Sequence, residues 1–551
     1  MDVAKTVSTR SLSRQQVFWT MAGVMLAMLL SSLDQTVVGT AMPRIMADLG
    51  GFSQYTWVTS IYMITSAVTI PIVGKLTDMY GRKPFYMAGI FIFVLFSLAC
   101  GLSHSMMQLI IFRGIQGIGA GTMMANAFTV IGDLFPPAER GKYQGYTAAV
   151  FGFSSVIGPT IGGFLTDQIS WHWVFFVNIP LGLSVIGIFF KFFPNLRADN
   201  LKHSIDYPGL SVLILTVVPA MLVLTLGGVE YAWGSPEIIG MFVFAAIMFG
   251  LFLVLEIRAK EPIIPLSLFK NRIVAISNLV SFLTGMGMFG SIVFIPLFYQ
   301  GILGASATRS GNMMIPMSMA VMFGSFVGGQ LLARTGGHYR IQGIIGTALI
   351  CTGIFLLSRL TMQTSYWNVI GDVIPAGLGM GLTMPVFTIA VQNAVPYSML
   401  GVATASSAFI RSVGGAVGLA ILGSVMNNRF FAGFIGQLPD SAKNLVPMDQ
   451  LTVLAHNPQA LVNPAAQAQL KTMLSQPGQG AALFDQVMLT LRHALSSAIA
   501  EAFLVGFGVL MIGLIATFFL KEIPLRKAHW APHEIPAEKT QKQLEKSEIA
   551  G

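Results

Sequence analysis

Two opposite charges stand where charges are costly. Asp34 interrupts the apolar run LLSSLDQTVVGTAMP, and Arg113 interrupts another, IIFRGIQGIGAG. An ionisable side chain inside a bilayer costs about 2.5–3.5 kcal/mol even on the lenient insertion scale, so such residues are functional candidates. A buried carboxylate beside an arginine can exchange a proton, because burial favours its neutral form and the guanidinium its charged form. If both runs are helices, Asp34 lies about 12 Å and Arg113 about 10 Å below the same surface, at 1.5 Å per residue. At that shared depth they can pair, or each can point separately into a watery cavity; the bland alternative is a pair that only holds two helices together. Arg411, in the middle of a later run, and Asp372, near the end of another, are weaker candidates. Arg411 could equally satisfy backbone carbonyls, and Asp372 could be interfacial.

A second constellation is the charged island GKLTDMYGRK, with Gly74, Asp78, Gly81, Arg82 and Lys83. So short a loop between two apolar runs holds two helices close and offers them charges to grip. A degenerate echo follows at Gly329–Gly336, where Ala333 stands in place of Asp78. The third is Ser154, Gly158, Pro159, Gly162 and Gly163 in one apolar run. Small residues allow close helix approach, and an internal proline removes a backbone hydrogen bond and kinks the helix. That pattern suits either a hinge or tight packing.

These groups need membrane helices to position them. The 551 residues are 54% hydrophobic and 10% charged, where soluble domains carry roughly 25% charged residues. Fourteen runs, from 17–41 to 497–520, are long enough to span, since a span needs about 20 apolar residues. Backbone groups in lipid must be satisfied within the segment, so the spans are helices. The net charge of +9 is topological: with the N-terminus inside, all but nine of the 32 Lys and Arg fall in cytoplasmic segments. Both termini are therefore expected in the cytoplasm.

Other classes are excluded by what the sequence lacks. No aromatic-basic nucleic-acid face is present. The run Gly114, Gly117, Gly119, Gly121 lies inside a span and follows no strand, so it is no dinucleotide loop, and no P-loop exists. Cys100 and Cys351 lie in apolar spans and are expected to be free and inert, and no metal-ligand cluster occurs. An enzyme, a cofactor and a bound metal are not expected. No cleavable signal is expected, because the first run is too long and contains Asp34.

A repeat organises the chain. Gly117, Gly119, Gly121, Pro136, Gly141, Gly158 and Gly163 recur in type at Gly377, Gly379, Gly381, Pro396, Gly401, Gly418 and Gly423, always 260 residues on. The expected division is a cytoplasmic N-terminus (1–16), a six-helix bundle (17–194), two inserted helices with linkers (195–272), a second six-helix bundle (273–520) and a cytoplasmic tail (521–551). The second bundle includes an extracellular loop, 426–496. Parallel six-helix repeats around a midplane site are a transporter design. Within the loop, 448–462 and 465–474 carry weak helical periodicity and 481–500 reads as an amphipathic helix, which suits a small cap or a flexible loop.

These residues resemble a known family. GKLTDMYGRK is similar to the loop between helices two and three of the major facilitator superfamily, and Arg113–Gly119 resembles its fourth-helix motif. Ser154-x-x-x-Gly158-Pro159-x-x-Gly162-Gly163 resembles the fifth-helix antiporter motif, with Ser154 where Gly is usual. Leu33–Val38 with Ala41-Met-Pro43 resembles the first-helix motif of fourteen-span drug:proton antiporters of the EmrB/QacA type. Trp171–Pro180 resembles their sixth-helix start, with His172 where Arg is usual.

The resemblance implies an all-α major facilitator fold of two six-helix repeats plus two inserted helices. It implies export of lipophilic, often cationic compounds from the cell in exchange for protons, driven by the proton gradient without a cofactor. The partners implied are small lipophilic substrates, protons and the bilayer, with no nucleic acid or nucleotide, for a monomer in the cell membrane. Asp34 would be the coupling and cation-recognition acid, with Arg113 modulating it. Asp78 would cap a helix of the second half, and Arg82 and Lys83 would pair with acids such as Asp133 or Glu139. Trp57 and Tyr62 would line an apolar cavity. A dedicated exporter of one metabolite, lipid or antibiotic fits the same residues, and a transport-inactive sensor or scaffold fits them less well.

Overall fold

The computed structural model describes residues 12–49, 54–194, 205–228, 230–305, 311–438 and 480–526. The possible cap helices 448–462 and 465–474, and the tail beyond 526, lie outside them. Fourteen long helices run through the described residues. In the first half they are α1 (Arg14–Leu49), α2 (Tyr55–Tyr80), α3 (Arg82–Gly101), α4 (Met106–Leu134), α5 (Pro137–Gln168) and α6 (Asn178–Phe192), the last preceded by the single turn Trp173–Phe176. The inserted pair are α7 (Tyr207–Leu226) and α8 (Pro236–Arg258). The second half holds α9 (Arg272–Gly301), α10 (Ile315–Arg334), α11 (Tyr339–Leu357), α12 (Tyr366–Ala394), α13 (Leu400–Gln437) and α14 (Gly480–Phe518). The fold is all-α and membrane-spanning.

Thirteen helices are long and apolar enough to cross a bilayer. α4 falls short on apolarity alone: Gln108, Arg113, Gln116, Asn126 and Asp133 dilute it, yet most of its length is buried. It lies between α2 and α3, which cover most of it. Helix starts follow side-chain chemistry. Ser105, Asp206, Ser235, Asn271 and Ser365 each accept a backbone N–H in the first turn of the following helix, as capping residues do.

Several helices outrun their apolar segments. α1 continues to Leu49 and α13 to Gln437, and α14 begins at Gly480, ahead of its apolar run. Hydropathy marks where lipid is met, whereas a helix continues for as long as its backbone bonds and neighbours support it. The extra turns of α1 put its C-terminal end about 22 Å from Asp34.

The internal repeat reappears as repeated packing. A Cβ on Gly119 would strike the Gly89 carbonyl of α3, and one on Gly379 the Gly346 carbonyl of α11. Gly121 presses on α2 at Ser66, and Gly381 on α10 at Val321. Thus α4 sits between α2 and α3 as α12 sits between α10 and α11. The two halves meet along α2·α13 and α5·α10. The Gly74–Gly401 crossing in the first seam matches the Gly141–Gly329 crossing in the second, where the backbones touch. Gly141→Val should drive a side chain into the Gly329 carbonyl and cost about 1–3 kcal/mol by overpacking. A lowered melting temperature of the purified protein checks this; an unchanged one would mean the crossing can spread.

The inserted helices pack on each other, and α7 also rests against α2 and α13. The outer face of α8 leaves Phe242, Ile247, Phe249 and Ile257 exposed, an apolar surface suited to lipid.

Candidate functional site

Asp34 and Arg113 form an ion pair at 2.5 Å, and neither side chain is more than 1% exposed. The carboxylate is fully engaged. Its second oxygen accepts from Gln116 Nε2 at 3.1 Å and from Asn178 Nδ2 at 2.8 Å. Arg113 also donates to Gln116 Oε1 at 2.8 Å and lies 4.0 Å over the Tyr62 ring. Asn178 is steadied by Ser97 at 3.0 Å. Four helices thus converge on one carboxylate: α1 supplies the acid, α4 the arginine and glutamine, α2 the ring and α6 the amide. Removing one partner of such a buried pair typically costs about 3–5 kcal/mol, because the other charge is stranded.

Gln116, Asn178 and Ser97 were not singled out in the sequence as site residues. Gln116 and Asn178 stand inside the motif segments, and a buried polar side chain in a span is the signal that could have marked them. Trp57 goes elsewhere. It packs on the Val223, Leu226 and Ile238 cluster of the inserted helices, because its face of α2 is turned towards α7 and α8.

The Ser154 segment of α5 seals the back of the site. Ser154 Oγ lies 2.5 Å from Ser32 Oγ on α1, two residues before Asp34. Side chains at Gly158 and Gly162 would collide with Thr36 and Thr40 of α1, while one at Gly163 would meet open space. α5 runs unbroken through Pro159. The segment is close packing against the helix that carries Asp34.

At the other end of the first bundle, Gly81 alone joins α2 to α3 with φ +95°, a backbone region that favours glycine. This hairpin sets Asp78 against the start of α13, where it accepts N–H bonds from Gly401 at 3.1 Å and Val402 at 2.7 Å. A carboxylate at a helix N-terminus also meets the positive end of the helix dipole. Arg82 bridges Asp78 at 2.5 Å and Asp133 at 2.9 Å. Lys83 pairs with no acid among the described residues. It donates to the Phe190 and Phe193 carbonyls at 3.2 and 3.1 Å, because the first turn of α3 faces the C-terminal, negative end of α6. Arg140 of α5 reaches Gln392 of α12 at 3.2 Å, so a second polar contact joins the halves here.

The matching end of the second seam lacks an acid at Ala333. There the segment following α14 lies across the surface. The Arg526 carbonyl accepts from Ala138 N at 3.3 Å at the start of α5, and Arg526 donates to the Val395 carbonyl at 2.9 Å and to that of Asn393. Asn393 and Tyr339 bind the same strap through Pro524, Lys521 and Ile523. Arg526→Ala should lose about 1.5–3 kcal/mol of charged hydrogen bonding. A fall in melting temperature without loss of the Asp34 ion pair is the expected result, read by thermal denaturation in detergent beside Asp34→Ala.

Asp372 is half-buried near the start of α12 and comes close to Tyr299. Arg411 lies mid-way along α13 and lines a cavity with residues of α9 and α12. Neither joins the Asp34 cluster or the Asp78 latch.

The family model for the Major Facilitator Superfamily matches residues 24–419. The chain belongs to the major facilitator superfamily. It is 40% identical over 515 residues to the multidrug transporter protein MdtP of Bacillus subtilis, covering 91% of this chain and 93% of that one. It is 36% identical over 506 residues to multidrug resistance protein 3 of the same bacterium, covering 90% and 94%. The solved structure of the human organic anion transporter MFSD10 (TETRAN) superposes with a TM-score of 0.55 at 13% identity, covering 90% of this chain and 99% of that one. At that identity the likeness speaks for the fold alone. As a facilitator-superfamily member, the chain is a multi-pass membrane transporter and not an enzyme.

Proposed function

We propose that this protein is a secondary exporter that moves lipophilic drugs or toxic compounds out of the cell in exchange for entering protons. Its two similar Bacillus relatives carry multidrug names over nearly their full length. The observation that carries the coupling is the Asp34–Arg113 pair: a buried, fully hydrogen-bonded carboxylate whose protonation would strand a buried guanidinium. That strain gives the proton leverage over α1, α2, α4 and α6. Asp78 holds the opposite end shut by capping α13. With both termini cytoplasmic, as the Lys and Arg distribution favours, the latch faces the cytoplasm, and this conformation is closed inward.

The cycle then follows from the contacts. Protonation of Asp34 from the outer side loosens its grip on Arg113, Gln116 and Asn178 and lets the first bundle turn. The latch opens, the proton leaves to the cytoplasm, and substrate enters from there. Re-forming the ion pair resets the closed state. The test is efflux of a panel of fluorescent lipophilic compounds, positive, neutral and negative, from cells with and without an uncoupler. Efflux that stops with the uncoupler supports the reading; efflux indifferent to it rejects proton coupling.

A further inference from the structure

The arginines of the described helices differ in how they are held. Arg82 holds Asp78 and Asp133, Arg113 holds Asp34, and Arg140 holds the Gly132 and Phe135 carbonyls and Gln392. Arg411, partly exposed within its span, has no hydrogen-bond or ion-pair partner among the described residues. An arginine within a span is costly unless something pairs with it, and its five N–H donors accept nothing in return.

Its placement is built. Gly285 of α9 has no side chain, so the Arg411 backbone lies directly against that helix. The side chain lines a small, half-open cavity. Ser281 and Thr284 of α9 border it, and Met380, Met384 and Phe387 of α12 form an apolar wall. Thr284 spends its proton on its own helix, at the Val280 carbonyl, so the guanidinium is the strong donor of the cavity. The 260-residue repeat puts Phe151 at the equivalent place in the first half, so the positive charge belongs to the second half alone. Asp34 does not offset it, since both its oxygens are taken by Arg113, Gln116 and Asn178.

We propose that this cavity is a substrate subsite for lipophilic anions. Arg411 pairs with a carboxylate or phenolate oxygen, and Met380, Met384 and Phe387 hold the apolar body. Methionine and aromatic walls adapt to many shapes, so the charge is recognised more strictly than the scaffold. The inference rests on the exporter reading for the direction of travel only, because binding is measured without transport.

The experiment uses the full-length purified protein in a neutral detergent and three probes sharing one fluorescent body: pyrenebutyrate, its methyl ester and pyrenebutylamine. Wild type should bind the acid at least about tenfold more tightly than the ester or the amine, the value of one charge-assisted hydrogen bond. Arg411→Gln should bring acid and ester together, and Arg411→Lys should keep a reduced preference. Equal wild-type affinities, tighter binding of the amine, no saturable binding of the acid, or a preference untouched in Arg411→Gln would each overturn the subsite. The wild-type comparison decides even if a variant fails to fold. Loss of the anion preference with uncoupler-sensitive efflux intact removes the subsite alone. Uncoupler-resistant efflux with the preference intact removes proton coupling alone.

Discussion

Asp34→Asn is expected to abolish gradient-driven efflux while the protein still reaches the membrane. Asparagine keeps the shape of the side chain and one carbonyl acceptor, so Arg113 and Asn178 retain a place to donate. What it loses is the ability to change charge. Arg113 then carries an uncompensated buried charge in every state, and removing one partner of such a pair typically costs about 3–5 kcal/mol. Asp34→Ala should be harsher, because it also leaves Gln116 and Asn178 without their acceptor. Efflux of the compound that wild type exports best, normalised to membrane protein by immunoblot, reads both variants. Wild-type efflux in Asp34→Asn would remove this residue from the mechanism.

Asp78→Ala is expected to slow turnover at least about tenfold while substrate affinity stays within a few fold. The substitution deletes two charge-assisted bonds to the N-terminus of α13, each worth about 1.5–3 kcal/mol, and each 1.4 kcal/mol is a tenfold change in an equilibrium. Arg82 keeps Asp133, so the hairpin itself survives. The closed population should fall. Ala405 packs against Gly74 at this seam, so a cysteine placed there reports the seam directly. Ala405→Cys should react with a maleimide from the cytoplasmic side at least about tenfold faster when combined with Asp78→Ala. Equal labelling rates would mean that the seam closes without Asp78. Abolished substrate binding would mean that the loop does more than gate.

Much of this was legible in the sequence for specific physical reasons. Asp34, Arg113 and the Asp78 island stand out because a charge in an apolar chain is expensive. The repeat was visible because close helix crossings demand glycine, and Gly119 and Gly379 each meet a carbonyl where no side chain fits. Other features had no such mark. Gln116, Asn178 and Ser97 are ordinary polar residues until the fold aims them at one carboxylate. The partner of Lys83 is a helix end and not an acid, which no charge count reveals. Trp57 packs on the inserted helices, whose docking face is set only in three dimensions. The strap at Lys521–Arg526 looked like the start of a polar tail. Its role depends on Asn393, Tyr339 and Ala138, more than a hundred residues away in sequence.

The halves are duplicated but not equivalent. The first seam is latched by a carboxylate, and the second is spanned by the strap where Ala333 replaces the acid. The first bundle keeps a neutralised ion pair, and the second a lone guanidinium. Under the proposed cycle, the first bundle would handle the proton and the second would present the substrate cavity.

Asp34 is proposed to carry the exchanged proton. Proton release settles it most directly. Purified protein in weakly buffered detergent, across a series of pH values, receives a saturating amount of its best-exported substrate while a pH indicator is followed. Wild type should give a proton signal proportional to protein, and Asp34→Asn none. The same release in Asp34→Asn, with substrate binding retained, would contradict this role.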